Sequence, residues 1–200
     1  MTFAPRLILA STSRYRQELL RRLRLDFDVL APAVDETPVP GETPAATAQR
    51  LAMAKARTVA VAHPTAVVVG SDQVAELDGL PIGKPHTHAR AVAQLRSMSG
   101  RRVSFHTAVA VVRHDRDFAH CLLAPVVATF RTLSDSEIEH YLRTEQPYDC
   151  AGSAKSEALG IALLAAIDSD DPTALIGLPL IRTCTLLREA GIDPLAGGRS

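Results

Sequence analysis

The sequence predicts an α/β fold, and three observations carry that reading. Over residues 7–69, short apolar runs that end in polar turns alternate with longer stretches of helical spacing. The run Ala66-Val67-Val68-Val69 is apolar throughout, as a buried strand is. Further on, the alternating segments Val103 to Val112 and Leu122 to Arg131 are joined by the polar stretch His114-Asp115-Arg116-Asp117, which reads as the end of an antiparallel hairpin. Strand-helix-strand alternation argues for a sheet flanked by helices.

Taken in order, Leu7-Ile8-Leu9-Ala10 is a strand that stops at Ser11-Thr12-Ser13. Tyr15 to Leu25 follows as a helix, with Leu19, Leu20 and Leu23 at helical spacing. Phe27 to Leu30 reads as a second strand before the acidic turn Asp35-Glu36-Thr37-Pro38. Thr43-Pro44 supplies an N-cap and a proline at the first helical position, opening an alanine-rich amphipathic helix from Ala45 to Ala62 that ends at His63-Pro64. The strand Ala66 to Val69 completes the alternation. Thr87 to Met98 is helical. Ser134 caps another helix, Glu137 completes a capping box, and the helix runs to about Thr144. Two more elements follow the glycine-rich stretch Gly152 to Gly160, and a helix from about Pro179 to Ala190 closes the fold. No repeat or low-complexity linker divides the chain. Residues 1–195 are therefore expected to form one domain, with 196–200 a loose tail.

Composition bounds the function. The 200 residues are 46% apolar and 22% charged, the balance of a globular protein that buries a core. Lys+Arg and Asp+Glu stand at 22 each, so no global field favours nucleic acid or an anionic membrane, and any bound anion is held locally. Apolar stretches fall far short of the roughly 20 residues that span a bilayer, and no charged-then-apolar leader opens the chain. A cytoplasmic protein is expected. Cys121, Cys150 and Cys184 are odd in number, lack CxxC spacing and sit among apolar neighbours, which argues against a disulfide framework or a zinc site. Buried thiols are expected.

Three stretches carry chemistry. In Ser11-Thr12-Ser13-Arg14-Tyr15-Arg16, hydroxyls, free amides and two arginines meet at a helix N-terminus, which makes an anion site; a plain capping serine with solvated arginines is the plainer alternative. Asp35-Glu36-Thr37 is an acidic turn, and Arg50 and Lys55 on the next helix are five residues apart and share no strict face. In Gly70-Ser71-Asp72-Gln73, an acid ends a buried strand, the place where α/β proteins bind ligands, although a structural aspartate capping a turn fits too. Gly83-Lys84-Pro85 holds a lysine between a permissive and a rigid residue. On this reading Asp72 and Lys84 face one another across a phosphate site.

Ten fragments in order, among them "LILASTSRYR", "VDETP", "RLAMAKA", "VVVGSDQV", "IGKP", "YDCAGSAKSEALG" and "DDPTALIGLPL", resemble the Maf family of nucleoside triphosphate pyrophosphatases, and the resemblance covers nearly the whole chain. It implies an elongated mixed sheet with flanking helices, two lobes around a central cleft, and hydrolysis between the α- and β-phosphates of a nucleotide. Asp72 is then the proton acceptor, Ser11, Arg16, Lys55 and Lys84 bind phosphate, and Tyr15, Gln73 and Glu157 set base specificity. Glu36 and Asp72, both hard oxygen donors, are the expected ligands of a divalent cation such as Mg²⁺. "SDQV" and "CAGSAKSE" are similar to the branch that hydrolyses 7-methyl-GTP rather than dTTP or UTP. Arg14 stands where the family has proline, Ala154 where that branch commonly has phenylalanine, and Ala158 where it has glycine. A homodimer is a family-level expectation, with no nucleic-acid or membrane partner. Two rival readings are a nucleotide-binding regulator of cell division or septum formation without catalysis, which needs the basic residues but not the acids, and a sugar-nucleotide transferase. The lack of a glycine-rich phosphate loop after the first strand argues against the latter.

Overall fold

The structure is a computed structural model that describes residues 5–196. Its sheet has seven strands in these residues: β1 (Leu7–Ala10), β2 (Asp28–Leu30), β3 (Val67–Leu77), β4 (Leu80–Ile82), β5 (Arg102–Arg113), β6 (Phe118–Phe130) and β7 (Leu164–Asp168). They run in the order β2-β1-β3-β5-β6-β7, with β4 paired to β3 off this path. β1 is parallel to β2 and β3, and the remaining pairs are antiparallel, so the expected mixed α/β sheet is found. The helices are α1 (Arg14–Arg21), α2 (Pro44–Ala62), α3 (His88–Met98), α4 (Asp135–Glu145) and α5 (Leu180–Glu189). Of the expected tail, only Ala196 lies within the described residues.

Local chemistry explains most boundaries. Thr43 caps α2 by accepting from the Ala46 amide, with Pro44 at the first helical position. Ser134 and Glu137 form the full capping box of α4. α1 is shorter than its leucine spacing suggests, because the chain turns at Arg24, whose φ of 54° is left-handed, and delivers Leu23, Leu25 and Phe27 to the core as a loop.

The largest departure is β3. The sequence suggests a strand ending at Val69, yet it continues through Gly-Ser-Asp-Gln to Leu77. β5 is the reason: it pairs with β3 from Val68 to Glu76, so the polar residues that look like a turn all have ladder partners. The parallel partner does stop early, its last pair being Ala10 with Gly70. Asp72 therefore sits just past the carboxyl end of the parallel pairing while still inside an antiparallel strand. At Asp78-Gly79 both residues have positive φ, 54° and 80°, and the chain folds back into β4 through the two-residue turn that Asp-Gly favours.

Two cores pack on opposite faces of the half of the sheet built from β1, β3 and β5. Leu19, Leu20, Leu186 and Leu187 of α1 and α5 cover one, and Ala48, Ala52, Ala56 and Val59 of α2 cover the other. A third core, with Leu95, Met98, Phe105, Phe130, Tyr141 and Leu142, lies between the far half of the sheet and α3 and α4. Gly70 sets how closely α2 approaches. A Cβ there would stand 2.4 Å from the Ala52 carbonyl oxygen and 2.7 Å from the Ala56 amide nitrogen, so only glycine permits the contact. That close approach brings Lys55 of α2 over Asp72 of β3. The three cysteines are free and half-buried, less enclosed than their apolar neighbours suggest.

Candidate active site

A cleft of about 1010 Å³ opens between the N-terminus of α1, the loop before α2, α2 itself, the middle of β3 and the loop after β4. This is at the upper end of the usual volume of a small-molecule site, enough for a nucleotide. Ser11, Tyr15, Arg16, Glu36, Lys55, Asp72, Gln73 and Lys84 all line it. Residues distant in sequence are thus gathered on one surface, among them Asp72 and Lys84.

The centre is a lysine held by two acids. Lys55 Nζ lies 2.7 Å from Asp72 Oδ1 and 2.7 Å from Glu36 Oε1. The Lys55 and Asp72 side chains are only 7% and 11% exposed, whereas Glu36 is 60% exposed. The lysine that sequence alone would leave in solvent is therefore buried. Hydrogen bonding to Lys55 is the main cause that holds the Glu36 carboxyl below its ordinary range, with Lys84 and Arg16 adding to it. Burial lowers the pKa of the Arg16 guanidinium, while the charges of Asp72 and Glu36 pull the other way.

The loop 169–178 fixes several of these groups. Gly177 O accepts from Arg16 Nε at 2.9 Å and from Ser71 Oγ at 3.0 Å. Ala174 O and Leu175 O accept from Gln73 Nε2, each at 3.0 Å. Asp171, fully buried, anchors the loop by accepting from the Arg182 amide at 3.0 Å in the first turn of α5. Sequence reasoning assigned none of these a role, although "DDPTALIGLPL" contains them. The Gln73 amino group is spent on this loop and on Thr107, whereas its carbonyl oxygen accepts nothing from the described residues.

Lys84 is exposed, and its loop is pinned on both sides. Gly83 O accepts from Gln94 at 2.9 Å, and the His86 amide donates to Tyr148 O at 3.1 Å. Gly83 does not use glycine's left-handed freedom, so hydrogen bonds rather than a special dihedral fix this loop. Ser13, not Ser11, caps α1. Ser11 Oγ accepts from the Ser13 amide at 3.1 Å, which leaves its own proton free to donate into the cleft. Arg14 is the first residue of α1, where the amide lacks an intrahelical partner in any case, so the helix starts there without proline.

Glu157 is placed differently. It is exposed and is not among the residues lining the cleft. Although the residue as a whole is exposed, partial desolvation of its carboxyl by the surrounding loop raises its pKa, and Glu145 and Glu18 add to the rise. Asp149, which sequence reasoning missed, does line the cleft and lies 3.4 Å from Tyr15 Oη. Ala158 has φ of −137°, outside the left-handed region that favours glycine.

Two carboxylates, each with one oxygen on Lys55, leave Asp72 Oδ2 and Glu36 Oε2 without a protein donor among the described residues. These are hard oxygens of the type that divalent cations take. No group of three or more His, Cys, Asp or Glu side chains is arranged for a metal among the described residues. The protein would thus supply two ligands and leave the rest to water and phosphate, which suits Mg²⁺.

The profile of a family described as Maf-like protein matches residues 6–190. Among curated proteins, a 7-methyl-GTP pyrophosphatase of Polaromonas is 67% identical over 186 residues, 93% of this chain and 85% of its own length. One of Albidiferax ferrireducens is 65% identical over 95% of this chain and 96% of its own. One of Bordetella pertussis is 59% identical over 96% of each. Among solved structures, the Ham1 protein of Staphylococcus aureus overlays 64% of this chain and 72% of its own, at 18% identity and a TM-score of 0.46. That overlay is too loose to place any residue.

Proposed function

The chain belongs to the Maf family, and from that premise we propose that it is a nucleoside triphosphate pyrophosphatase that cleaves 7-methyl-GTP between the α- and β-phosphates, keeping modified nucleotides out of nucleic acids. One observation carries the reading. Asp72, Glu36 and Lys55 form a compact acid-base cluster on the wall of a nucleotide-sized cleft that Arg16, its Nε held by Gly177 O, and Lys84 also line. A purely binding protein would need the cations but not the paired acids.

The chemistry needs charge neutralisation, a positioned water and a proton acceptor. Arg16, Lys55 and Lys84 offset the triphosphate charge, and Ser11 donates a hydrogen bond to it. Lys55 takes up Asp72 Oδ1, which leaves Oδ2 free to accept the proton of the attacking water. A divalent cation on Asp72 and Glu36, when bound, would acidify water and bind phosphate oxygens. No covalent intermediate is required. Gln73 offers its free carbonyl oxygen to the base, and Tyr15 offers its ring. Glu157, carried over by resemblance as a third specificity residue, acts at this site if its loop closes on the bound base. The fold has no helix among the described residues long and apolar enough to cross a membrane, and we place the enzyme in the cytoplasm, acting on free nucleotides as a homodimer.

The test is pyrophosphate release from 7-methyl-GTP, GTP, dTTP and UTP by purified protein. The reading requires the highest kcat/KM for 7-methyl-GTP. A preference for dTTP or UTP would move the chain to the other branch, and binding without any release would make it a regulator.

A further inference from the structure

The rim of the cleft beyond the Lys55 cluster already holds a cation. Arg14 Cζ stands 4.8 Å from the centroid of the Tyr15 ring, and its Nη2 donates to Tyr15 Oη at 2.8 Å. Arg14 Nη2 is also 3.9 Å from Asp149 Oδ2. All three residues line the cleft. The Arg14 and Asp149 side chains are 66% and 57% exposed, so packing locks neither. The Tyr15 hydroxyl in turn donates toward Asp149 Oδ1, 3.4 Å away.

An aromatic face with a carboxylate at its edge favours a cation over a neutral ring, because both the ring quadrupole and the full charge attract it. A 7-methylated guanine is a cation of that kind, whereas guanine is not. We propose that Tyr15 and Asp149 form a seat for the positively charged base, that Asp149 is a specificity-determining residue, and that Arg14 is the seat's internal occupant, displaced when the base binds. This inference rests on the reading of 7-methyl-GTP as substrate. It accounts for Arg14 in a position the family gives to proline: the guanidinium marks the seat and competes for it. The carboxylate that reads the methylated ring is then Asp149, on the cleft wall, rather than Glu157 alone.

The test measures binding without turnover. Calorimetric titration with 7-methyl-GMP and GMP gives the ratio of their affinities for the whole chain, with melting temperatures to confirm that the variants fold. In Asp149→Asn the preference for 7-methyl-GMP should fall roughly two- to fivefold, the range of an exposed cation–π or ion-pair contact. In Arg14→Gln, 7-methyl-GMP should bind more tightly and the preference should rise by a similar factor. An unchanged ratio in Asp149→Asn would overturn the seat. So would equal weakening of both ligands in Arg14→Gln, since Arg14 would then be a phosphate ligand. The two readings fail separately. If the ratios shift as stated but 7-methyl-GTP is not the preferred substrate, the functional reading falls and the seat stands. If 7-methyl-GTP is preferred but neither substitution moves the ratio, only the seat falls.

Discussion

Replacing Lys55 by methionine should cost far more stability than replacing Asp72 by asparagine, although the two are partners in one ion pair. Lys55 Nζ is 2.7 Å from both Asp72 and Glu36, and neither Lys55 nor Asp72 is exposed enough for water to screen the pair. Lys55→Met keeps the stem but leaves the Asp72 carboxylate buried without its ammonium. Breaking a buried pair from one side costs about 3–5 kcal/mol, and the Arg16 charge nearby favours the lower end. Asp72→Asn is gentler, because Lys55 keeps Glu36 as its counter-charge. The loss is then of the order of one hydrogen bond, about 1 kcal/mol. Equilibrium unfolding in urea near neutral pH, followed by circular dichroism, should separate the two variants by about 2 kcal/mol. Both should lose most turnover. If Asp72→Asn proved as destabilising as Lys55→Met, Glu36 would not be holding the lysine's charge, and the three-residue cluster would be misread.

Other consequences are smaller but as definite. Gly70→Ala should destabilise the fold by about 1–3 kcal/mol and lower kcat/KM together, since its methyl would meet α2 backbone at 2.4 Å and push Lys55 away from Asp72; a variant of unchanged stability and activity would contradict the close approach. Glu137 is held down to about 2, first by the Ser134 amide and then by the Ser134 hydroxyl and Arg131. A depressed carboxyl adds stability that is present above its unfolded pKa, about 4.3, and is lost as pH falls toward about 2. Glu137→Gln should therefore lose less melting temperature than the wild type between about pH 5 and about pH 3; equal losses would count against the capping box. Excess chelator should abolish activity and Mg²⁺ should restore it, whereas full activity in chelator would remove Glu36 and Asp72 as metal ligands.

How much of this could be read from sequence depends on whether the signal was local. Thr43-Pro44 and Ser134-Asp135-Ser136-Glu137 are short-range signatures, and both helices begin where they indicate. The hairpin turn at His114 to Asp117 is also local and joins β5 to β6 as expected. The continuation of β3 was not legible, because Ser71, Asp72 and Gln73 have the composition of a turn. Their partners are Ala108, Lys55, Thr107 and the loop 169–178, all far away in sequence. Asp78-Gly79 was a missed local signal, since Asp-Gly between apolar residues is a strong hairpin marker. Tyr15, Arg16, Lys55, Asp72, Gln73 and Lys84 stand in short motifs that the sequence shows directly, and all meet in one cleft. Asp149 was not named. Only the fold brings its loop to Tyr15, 134 residues earlier in the chain.

The central claim is that this cleft directs water to the α–β anhydride of a methylated guanine nucleotide. Its most direct test is the identity of the first products when purified wild-type protein, with Mg²⁺, is given 7-methyl-GTP and the reaction is resolved by anion-exchange chromatography. 7-Methyl-GMP and pyrophosphate should appear together in equal amounts from the earliest time point. Orthophosphate with 7-methyl-GDP as the first products, or no turnover of 7-methyl-GTP at all, would contradict it.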